Sequence, residues 1–146
     1  MDREDDWVVA RTGTALRTDV TANGYALVAD EPASLGGTNT GPTPYDYLLA
    51  ALGSCTAITV RMYADRKGWP LKSVTVRLSH HRIHARDCQE CETKDGRIDY
   101  ISRDLELIGT LDASQLARLL EIAERCPVHQ MLTSEVVIDT NLVGTE

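Results

Sequence analysis

The order of elements along the sequence, βββ-α-ββ-α-α-β, predicts an α+β fold in which strands and helices occupy separate stretches of the chain. Three observations lead to this prediction. Short β-prone runs separated by Gly and Asn-Gly precede residue 30. A long apolar segment then opens on Pro44 and closes before Gly68. Finally, a segment with strict alternation of apolar and polar residues starts at Val74 and is followed by a return strand.

The composition indicates one soluble globular domain spanning residues 1–146. Apolar residues make up 42% and charged residues 25%, and 15 basic against 22 acidic side chains leave a net charge of −7. This charge argues against nucleic acid and anionic membranes as partners. No apolar run approaches the ~20 residues of a membrane-spanning helix. The N-terminus is acidic and polar where a signal peptide would be basic and then apolar, so we expect a cytoplasmic protein with residues 1–6 frayed.

The N-terminal part is predicted to contain three short strands followed by a loop. The strands are Trp7–Ala10, Thr14–Thr18 and Tyr25–Ala29, with turns at Gly13 and at Asn23-Gly24. Residues 30–43 contain three Gly and two Pro, a density that neither a helix nor a central strand tolerates.

A long helix is predicted from Pro44, with Thr43 as its N-cap and Asp46 three residues on. Its predicted apolar stripe consists of Leu48, Leu52, Cys55, Thr59 and Met62. Small and apolar residues also occupy other faces, which is typical of a helix that is buried all round. Because a domain of this size can hardly enclose such a helix alone, the pattern favours an intertwined dimer. The alternative is a helix lying across a sheet.

The C-terminal half is predicted to contain a hairpin, two helices and a last strand. Residues 74–80 alternate as a half-buried strand, residues 97–108 form its antiparallel return, and residues 85–96 lie at the tip. Asp112 and Gln115 form a capping box for a helix with an apolar face of Leu116, Leu119, Leu120 and Ala123. Pro127 ends that helix near Arg125 and opens a short one to about Thr133, and residues 135–143 are predicted as a strand.

Two cysteines are candidates for chemistry. Cys55 lies on the predicted helix stripe, where a free cysteine is most often a small buried hydrophobe. Cys126 lies at the N-cap of the short helix, where backbone N–H groups and the helix dipole favour a thiolate, although it could simply sit at a helix junction. If the helices bring the two sulfurs within disulfide range, the pair can reduce a peroxide through a sulfenic acid and a disulfide. The cap argument alone favours Cys126 as the more acidic thiol.

The segments around these cysteines resemble a known family. Residues 43–56, TPYDYLLAALGSCT, and residues 123–128, AERCPV, resemble the two signatures of the OsmC-like (osmotically inducible protein C and organic hydroperoxide resistance) superfamily. The match in element order runs from about Thr12 to Val143. This resemblance implies a homodimer whose chains wrap around each other. It also implies a peroxidase for organic hydroperoxides, with Cys55 peroxidatic and Cys126 resolving, a dithiol reductant, and no cofactor for catalysis.

The resemblance also implies an arginine from the N-terminal hairpin that holds the thiolate. Arg17 is the first candidate and Arg11 the second, and either could instead be a solvated strand arginine. In peroxidase members a glutamate follows the helix-opening proline, and this chain has Tyr45 there, followed by Asp46. The carboxylate is therefore displaced to Asp46 or missing, since Asp46 also has a sufficient role as a capping residue. Apolar surface from Leu52, Ile58 and Tyr45 would favour alkyl hydroperoxides.

The predicted hairpin tip carries a separate signal. Cys88 and Cys91 have the spacing at which two thiolates hold one tetrahedral zinc ion, and His84 with His80 or His81 could complete the ligands. We expect such a zinc to be structural. The rival interpretations are a redox dithiol or local disulfide, and a polar loop with two reduced cysteines.

His129 lies one turn into the short helix, where it could assist proton transfer. The alternative is a packing role or a hydrogen bond within the helix.

Two further functional hypotheses remain open at this point. One is a non-catalytic OsmC-like protein that binds an apolar ligand or a partner at the dimer groove, which the Tyr45-Asp46 departure motivates. The other is a zinc-stabilised interaction module built on residues 80–91.

Overall fold

The computed structural model describes residues 7–145 and contains the predicted mixture of helices and antiparallel sheets. The α+β fold class is therefore confirmed. The chain forms two compact units, one ending at Ala50 and the other beginning at Ala51. A single domain over residues 1–146 stays a prediction, and the frayed residues 1–6 lie outside the described residues.

The first unit contains a three-stranded antiparallel sheet. Its strands are β1 (Val9–Thr12), β2 (Thr18–Ala22) and β3 (Tyr25–Ala29), in the order β1-β2-β3. Asn23 and Gly24 have φ angles of 48° and 80°, as a two-residue hairpin turn requires. β3 matches the prediction, whereas β1 lies two residues later than the predicted Trp7–Ala10, and β2 covers Thr18–Ala22 and not the predicted Thr14–Thr18. The reason is that the tight turn pairs Ala22 with Tyr25, so the ladder extends back from there to Thr18 opposite Ala29.

The loop after β3 is organised by the buried carboxylate of Asp30. This carboxylate accepts hydrogen bonds from the backbone N–H and hydroxyl groups of Thr38 and Thr40 and from the Glu31 N–H. Gly37 packs so closely that an added Cβ would collide with the Glu31 carbonyl. The loop therefore has a defined path into the long helix despite its content of Gly and Pro.

Helix α1 covers Pro44–Lys67, as predicted. The Asp46 carboxylate accepts from the Thr43 N–H at 3.0 Å, and the Asp46 N–H donates to the Thr43 hydroxyl at 3.2 Å. This reciprocal pair is a capping box. Gly68, at φ 71°, follows the last turn.

The second unit is built on a long hairpin of β4 (Leu71–His84) and β5 (Arg97–Gly109). Residues 85–96 form the tip, as predicted, and Leu78 lies opposite Arg103. Helix α2 (Ala113–Ala123) has the predicted capping box of Asp112 and Gln115, and helix α3 (Pro127–Leu132) follows Cys126. The core cluster contains Val60, Ala64, Leu71, Leu119 and Ala123.

The buried face of α1 differs from the predicted stripe. The buried residues are Leu52, Gly53, Thr56, Val60 and Ala64, while Leu48 and Met62 are exposed. A Cβ on Gly53 would lie 2.7 Å from Leu78 Cδ1, so α1 approaches β4 closely at Gly53. The apolar pattern could not select this face because α1 is apolar on several sides.

The predicted strand at residues 135–143 is wrong for the chain as described. Residues 135–145 form no helix or strand, and the side chains of Val137, Ile138, Leu142 and Val143 are almost fully exposed. A strand exists only through its hydrogen-bonded neighbour, and no described strand pairs with this segment.

α1 is also the one helix among residues 7–145 that is long and apolar enough to cross a membrane, with a mean hydropathy of 1.2 in its best window. This differs from the expectation that no apolar run approaches the length of a membrane-spanning helix. The test rests on length and composition alone, and a core helix passes it too. Since one face of α1 packs in the core of the second unit, we interpret it as a core helix.

Candidate thiol site

Cys126 lies at the start of α3, with its side chain fully buried. Its Sγ accepts a hydrogen bond from the His129 N–H at 3.2 Å, so Cys126 is the N-cap that the sequence predicts. Pro127 at the first helical position ends α2 and opens α3, which places the sulfur at this helix N-terminus.

Cys55 lies on α1 and is half-buried, and both it and Cys126 are free thiols. The Cys55 side chain is hydrogen-bonded to Cys126, and the hydroxyl of the next residue, Thr56, lies 3.8 Å from Cys126 Sγ. The second unit therefore brings the two predicted cysteines into contact, although they are 71 positions apart in the chain.

The hydrogen bonds at Cys126 favour its thiolate. Burial, the largest single influence, raises the pKa of the Cys126 thiol. The His129 N–H, the Cys55 and Thr56 side chains and the Val128 N–H together outweigh burial, so the net pKa lies below its usual value. The site thus stabilises negative charge on the more deeply buried sulfur.

Arg103, which sequence reasoning missed, lies beside this pair. From β5 its guanidinium donates to the Thr56 hydroxyl at 3.1 Å and contacts His129 Nδ1 at 3.0 Å. It also lies 3.5 Å from the Glu124 carboxylate, and the Arg103 side chain is only 10% exposed. The sequence did contain a signal for Arg103. It occupies a position on the inward-facing side of β5 that is otherwise apolar, in the alternating series Ile101, Arg103, Leu105 and Leu107, and these residues are half-buried.

Arg103 and Glu124 contact the two ring nitrogens of His129. A guanidinium has only donors, so Nδ1 accepts the hydrogen bond from Arg103. Nε2 lies 3.4 Å from the Glu124 carboxylate. His129 therefore helps to position Arg103, and its role in proton transfer stays a prediction.

The other predicted catalytic residues belong to the first unit. Arg17 precedes β2, and its guanidinium is 3.4 Å from Asp19 in an exposed pair. Arg11 lies on β1, and the Asp46 carboxylate caps α1. The roles of Arg17, Arg11 and Asp46 in catalysis stay predictions.

The predicted substrate-binding residues have unequal exposure. Leu52 is buried in α1, one turn before Cys55, whereas Ile58 lies one turn after it and is exposed. Tyr45, in the first turn of α1, is also exposed. Only Ile58 and Tyr45 therefore present substantial apolar surface, and substrate binding by the three residues stays a prediction.

The predicted zinc ligands are not assembled. Cys88 and Cys91 form a disulfide with their Cα atoms 5.5 Å apart, His80 bonds Asp99 at 2.9 Å, and His84 Nδ1 accepts from the Arg86 N–H. Across residues 7–145 no group of three or more His, Cys, Asp or Glu side chains could hold a metal ion. The zinc prediction is therefore unsupported, because these side chains already have other partners. The local disulfide was the rival interpretation.

Comparison with known proteins identifies the family. The family model described as OsmC-like protein matches residues 37–141. The chain belongs to the OsmC-like family. The recognition from the two cysteine motifs is thereby confirmed. No curated protein matches this OsmC-like chain significantly.

Solved structures show the same fold at low sequence identity. An OsmC-like protein from Mycoplasma pneumoniae is 18% identical with a TM-score of 0.68, over 90% of this chain and 89% of that one. The organic hydroperoxide resistance protein OsmC from Legionella pneumophila is 18% identical with a TM-score of 0.62, over 87% and 89%. An organic hydroperoxide resistance protein from Elizabethkingia anophelis is 17% identical with a TM-score of 0.62, over 86% of each chain.

Proposed function

We propose that this OsmC-like protein is a thiol peroxidase that reduces organic hydroperoxides through Cys55 and Cys126. The observation that carries the proposal is the contact between two free cysteines, with hydrogen-bond donors directed at one of them. Two structural neighbours are named organic hydroperoxide resistance proteins, which supports the same substrate class. We extend the proposal to a cytoplasmic homodimer that needs no cofactor for catalysis.

The reaction divides into two steps in the protein. The Cys55 thiolate attacks the outer oxygen of the hydroperoxide, the O–O bond breaks, and the alkoxide takes a proton to leave as an alcohol. The Cys126 thiolate then attacks the sulfur of the Cys55 sulfenic acid, the S–O bond breaks, hydroxide leaves and takes a proton from solvent to become water, and a Cys55–Cys126 disulfide forms. An external dithiol supplies the two electrons that restore both thiols. The assignment of roles to the two cysteines follows the family resemblance.

Residues of the first unit have supporting roles in this proposal. Arg17, or Arg11 in its place, would stabilise the Cys55 thiolate, and Asp46 would orient that arginine. Tyr45, Leu52 and Ile58 would provide apolar surface for an alkyl group. The support for these roles is the family resemblance and, for Tyr45 and Ile58, their exposed apolar surface.

Titration of the reduced protein with cumene hydroperoxide tests the proposal. Wild type should consume the peroxide rapidly and form a Cys55–Cys126 crosslink that is detected by non-reducing peptide mapping. Cys126→Ser should also consume about one peroxide per subunit but form no crosslink, because a sulfenic acid forms without a resolving thiol. Cys55→Ser should consume none, and Cys88→Ser/Cys91→Ser is the matched control. Peroxide consumption by Cys55→Ser at the wild-type rate would refute the assignment.

A second candidate function is binding of an apolar ligand without catalysis. The observation in its favour is that the Asp46 carboxylate is already bonded to the Thr43 N–H as a helix cap. Slow peroxide consumption without a Cys55–Cys126 crosslink in the same titration would favour this candidate.

A further inference from the structure

We propose that Thr56 and Arg103 make Cys126 the leaving sulfur when the Cys55–Cys126 disulfide is reduced, so that the incoming dithiol attacks Cys55. This inference rests on the proposed function. Thr56 is a catalytic residue in this scheme because its hydroxyl reaches a reacting sulfur. Arg103 is a positioning residue because it acts through Thr56.

The Thr56 hydroxyl has one proton and two possible acceptors. It donates to the Leu52 carbonyl at 2.7 Å, and Cys126 Sγ lies 3.8 Å from the same oxygen. Arg103 already donates to the hydroxyl oxygen at 3.1 Å. When negative charge forms on Cys126, a rotation of the hydroxyl redirects its proton to the sulfur without moving the backbone. The adjacent cation strengthens that hydrogen bond.

Arg103 is held in place and keeps its charge. His129 accepts from one of its terminal nitrogens, Glu124 lies 3.5 Å from the same nitrogen, and little of the side chain meets solvent. A guanidinium does not deprotonate in proteins. The site therefore contains a guanidinium that is held against the Thr56 hydroxyl.

Access to the two sulfurs leads to the same assignment. Cys126 is fully buried, whereas Cys55 is half-buried. A thiolate must contact the sulfur that it attacks, and the exchange is faster when the departing thiol has the lower pKa. Cys55 is the more accessible sulfur and is therefore the one attacked. Cys126 has hydrogen-bond donors that stabilise its negative charge and is therefore the one that leaves.

Reduction of the Cys55–Cys126 disulfide by a dithiol takes place in two exchange steps. A thiolate of the external dithiol attacks Cys55 Sγ, the Cys55–Cys126 bond breaks, and its electron pair leaves on Cys126. The second thiolate of the dithiol then attacks the external sulfur of the mixed disulfide. This expels Cys55 as a thiolate and closes the disulfide of the reductant. Two electrons pass to the protein, and each cysteine takes up a proton according to its pKa.

Trapping the mixed disulfide tests the direction of attack. The Cys55–Cys126 disulfide is formed with diamide, treated briefly with the monothiol 2-mercaptoethanol, quenched with iodoacetamide and mapped by mass spectrometry. We expect the mercaptoethanol adduct on Cys55 and the alkyl group on Cys126. An adduct predominantly on Cys126 would overturn the proposal. Because diamide forms the disulfide without peroxide, failure of the peroxidase hypothesis and failure of this inference give different results.

Substitutions test the roles of Thr56 and Arg103. Thr56→Val and Arg103→Met should each slow reduction of the disulfide by dithiothreitol about tenfold, and the slowing should diminish at alkaline pH. Thr56→Ser should retain the wild-type rate because it keeps the hydroxyl. Arg77→Met removes an exposed arginine from β4 and is the matched control. If Arg103→Met fails to fold, the comparison of Thr56→Val with Thr56→Ser tests the proposal. Equal rates of disulfide reduction in these two variants would contradict it.

Discussion

Cys55 and Cys126 are the same residue type in the same site, yet their surroundings differ. Cys126 is fully buried at a helix N-terminus, accepts hydrogen bonds from the His129 N–H and the Cys55 side chain, and lies 3.8 Å from the Thr56 hydroxyl. These donors stabilise its thiolate more than burial destabilises it, which lowers the pKa of Cys126. The acidity of Cys126 therefore arises from donors that only the folded chain brings together.

This environment predicts a thiolate that forms at unusually low pH. Thiolate absorbance at 240 nm, taken as wild type minus Cys126→Ser, should rise with a midpoint below about 8.5, the usual pKa of a cysteine thiol. Thr56→Val should move the midpoint upward, because it removes one donor. A midpoint at or above the usual value in wild type would contradict the hydrogen-bonding pattern described for Cys126.

In the first unit, Asp30 is likewise a buried group whose charged form is stabilised by hydrogen bonds. Hydrogen bonds from Thr38 and Thr40 lead the influences that hold the pKa of the Asp30 carboxyl far below its usual range. Its contribution to stability is thus complete above the unfolded-state pKa of about 3.9 and is lost as pH falls below it. Asp30→Asn should lower the urea midpoint of unfolding at pH 7 more than Asp19→Asn, an exposed control. Equal midpoints would mean that the carboxylate does not order the loop.

At the scale of elements, the sequence correctly predicts the features that depend on residues close together in the chain. Caps and turns depend on neighbours in sequence, so the bounds of α1, α2 and β3 and the hairpin tip agree with the prediction. Features that depend on a distant partner were missed: the buried face of α1, the start of β2 and the absence of a strand at 135–143. Arg103 belongs to the same class, because its function depends on residues 47 and 26 positions away.

The close approach of α1 to β4 gives a stability prediction. Gly53→Val should lower the free energy of unfolding by about 1 kcal/mol, the low end of the cost of overpacking, since an added Cβ would lie 2.7 Å from Leu78 Cδ1 and this leucine side chain would have to shift. Ala51→Val places the same side chain on an exposed position of α1 and serves as the control. Urea unfolding of both variants measures the difference. If Gly53→Val lowers the free energy of unfolding no more than Ala51→Val does, the close approach of Gly53 to Leu78 would be contradicted.

The hairpin tip gives a prediction about thiol content. The folded protein purified without reductant should contain two alkylatable cysteines, Cys55 and Cys126, after denaturation in iodoacetamide. Reduction before denaturation should raise the number to four, because the Cys88–Cys91 disulfide opens. Peptide masses identify which cysteines react. Detection of all four cysteines before reduction would show that the tip holds free thiols.

At the scale of the whole molecule, large apolar side chains remain exposed on a chain of net charge −7. On α1, Ile58 and Met62 are 58% and 64% exposed. The segment 136–143 adds five exposed aliphatic residues, which are Val136, Val137, Ile138, Leu142 and Val143. Soluble monomers rarely keep large contiguous apolar surface in water, so the distribution supports the proposed homodimer.

The homodimer leads to a direct test by light scattering coupled to size-exclusion chromatography. We expect a mass about twice the chain's 16.1 kDa, and Ile58→Glu/Met62→Glu should shift it toward one chain, because two carboxylates would have to be buried in the interface. Thr75→Glu/Ser79→Glu adds the same charge at exposed positions of β4 and should leave the mass unchanged. A wild-type mass of one chain would contradict the proposed homodimer. A dimer unaffected by the α1 variant would instead move the interface away from Ile58 and Met62.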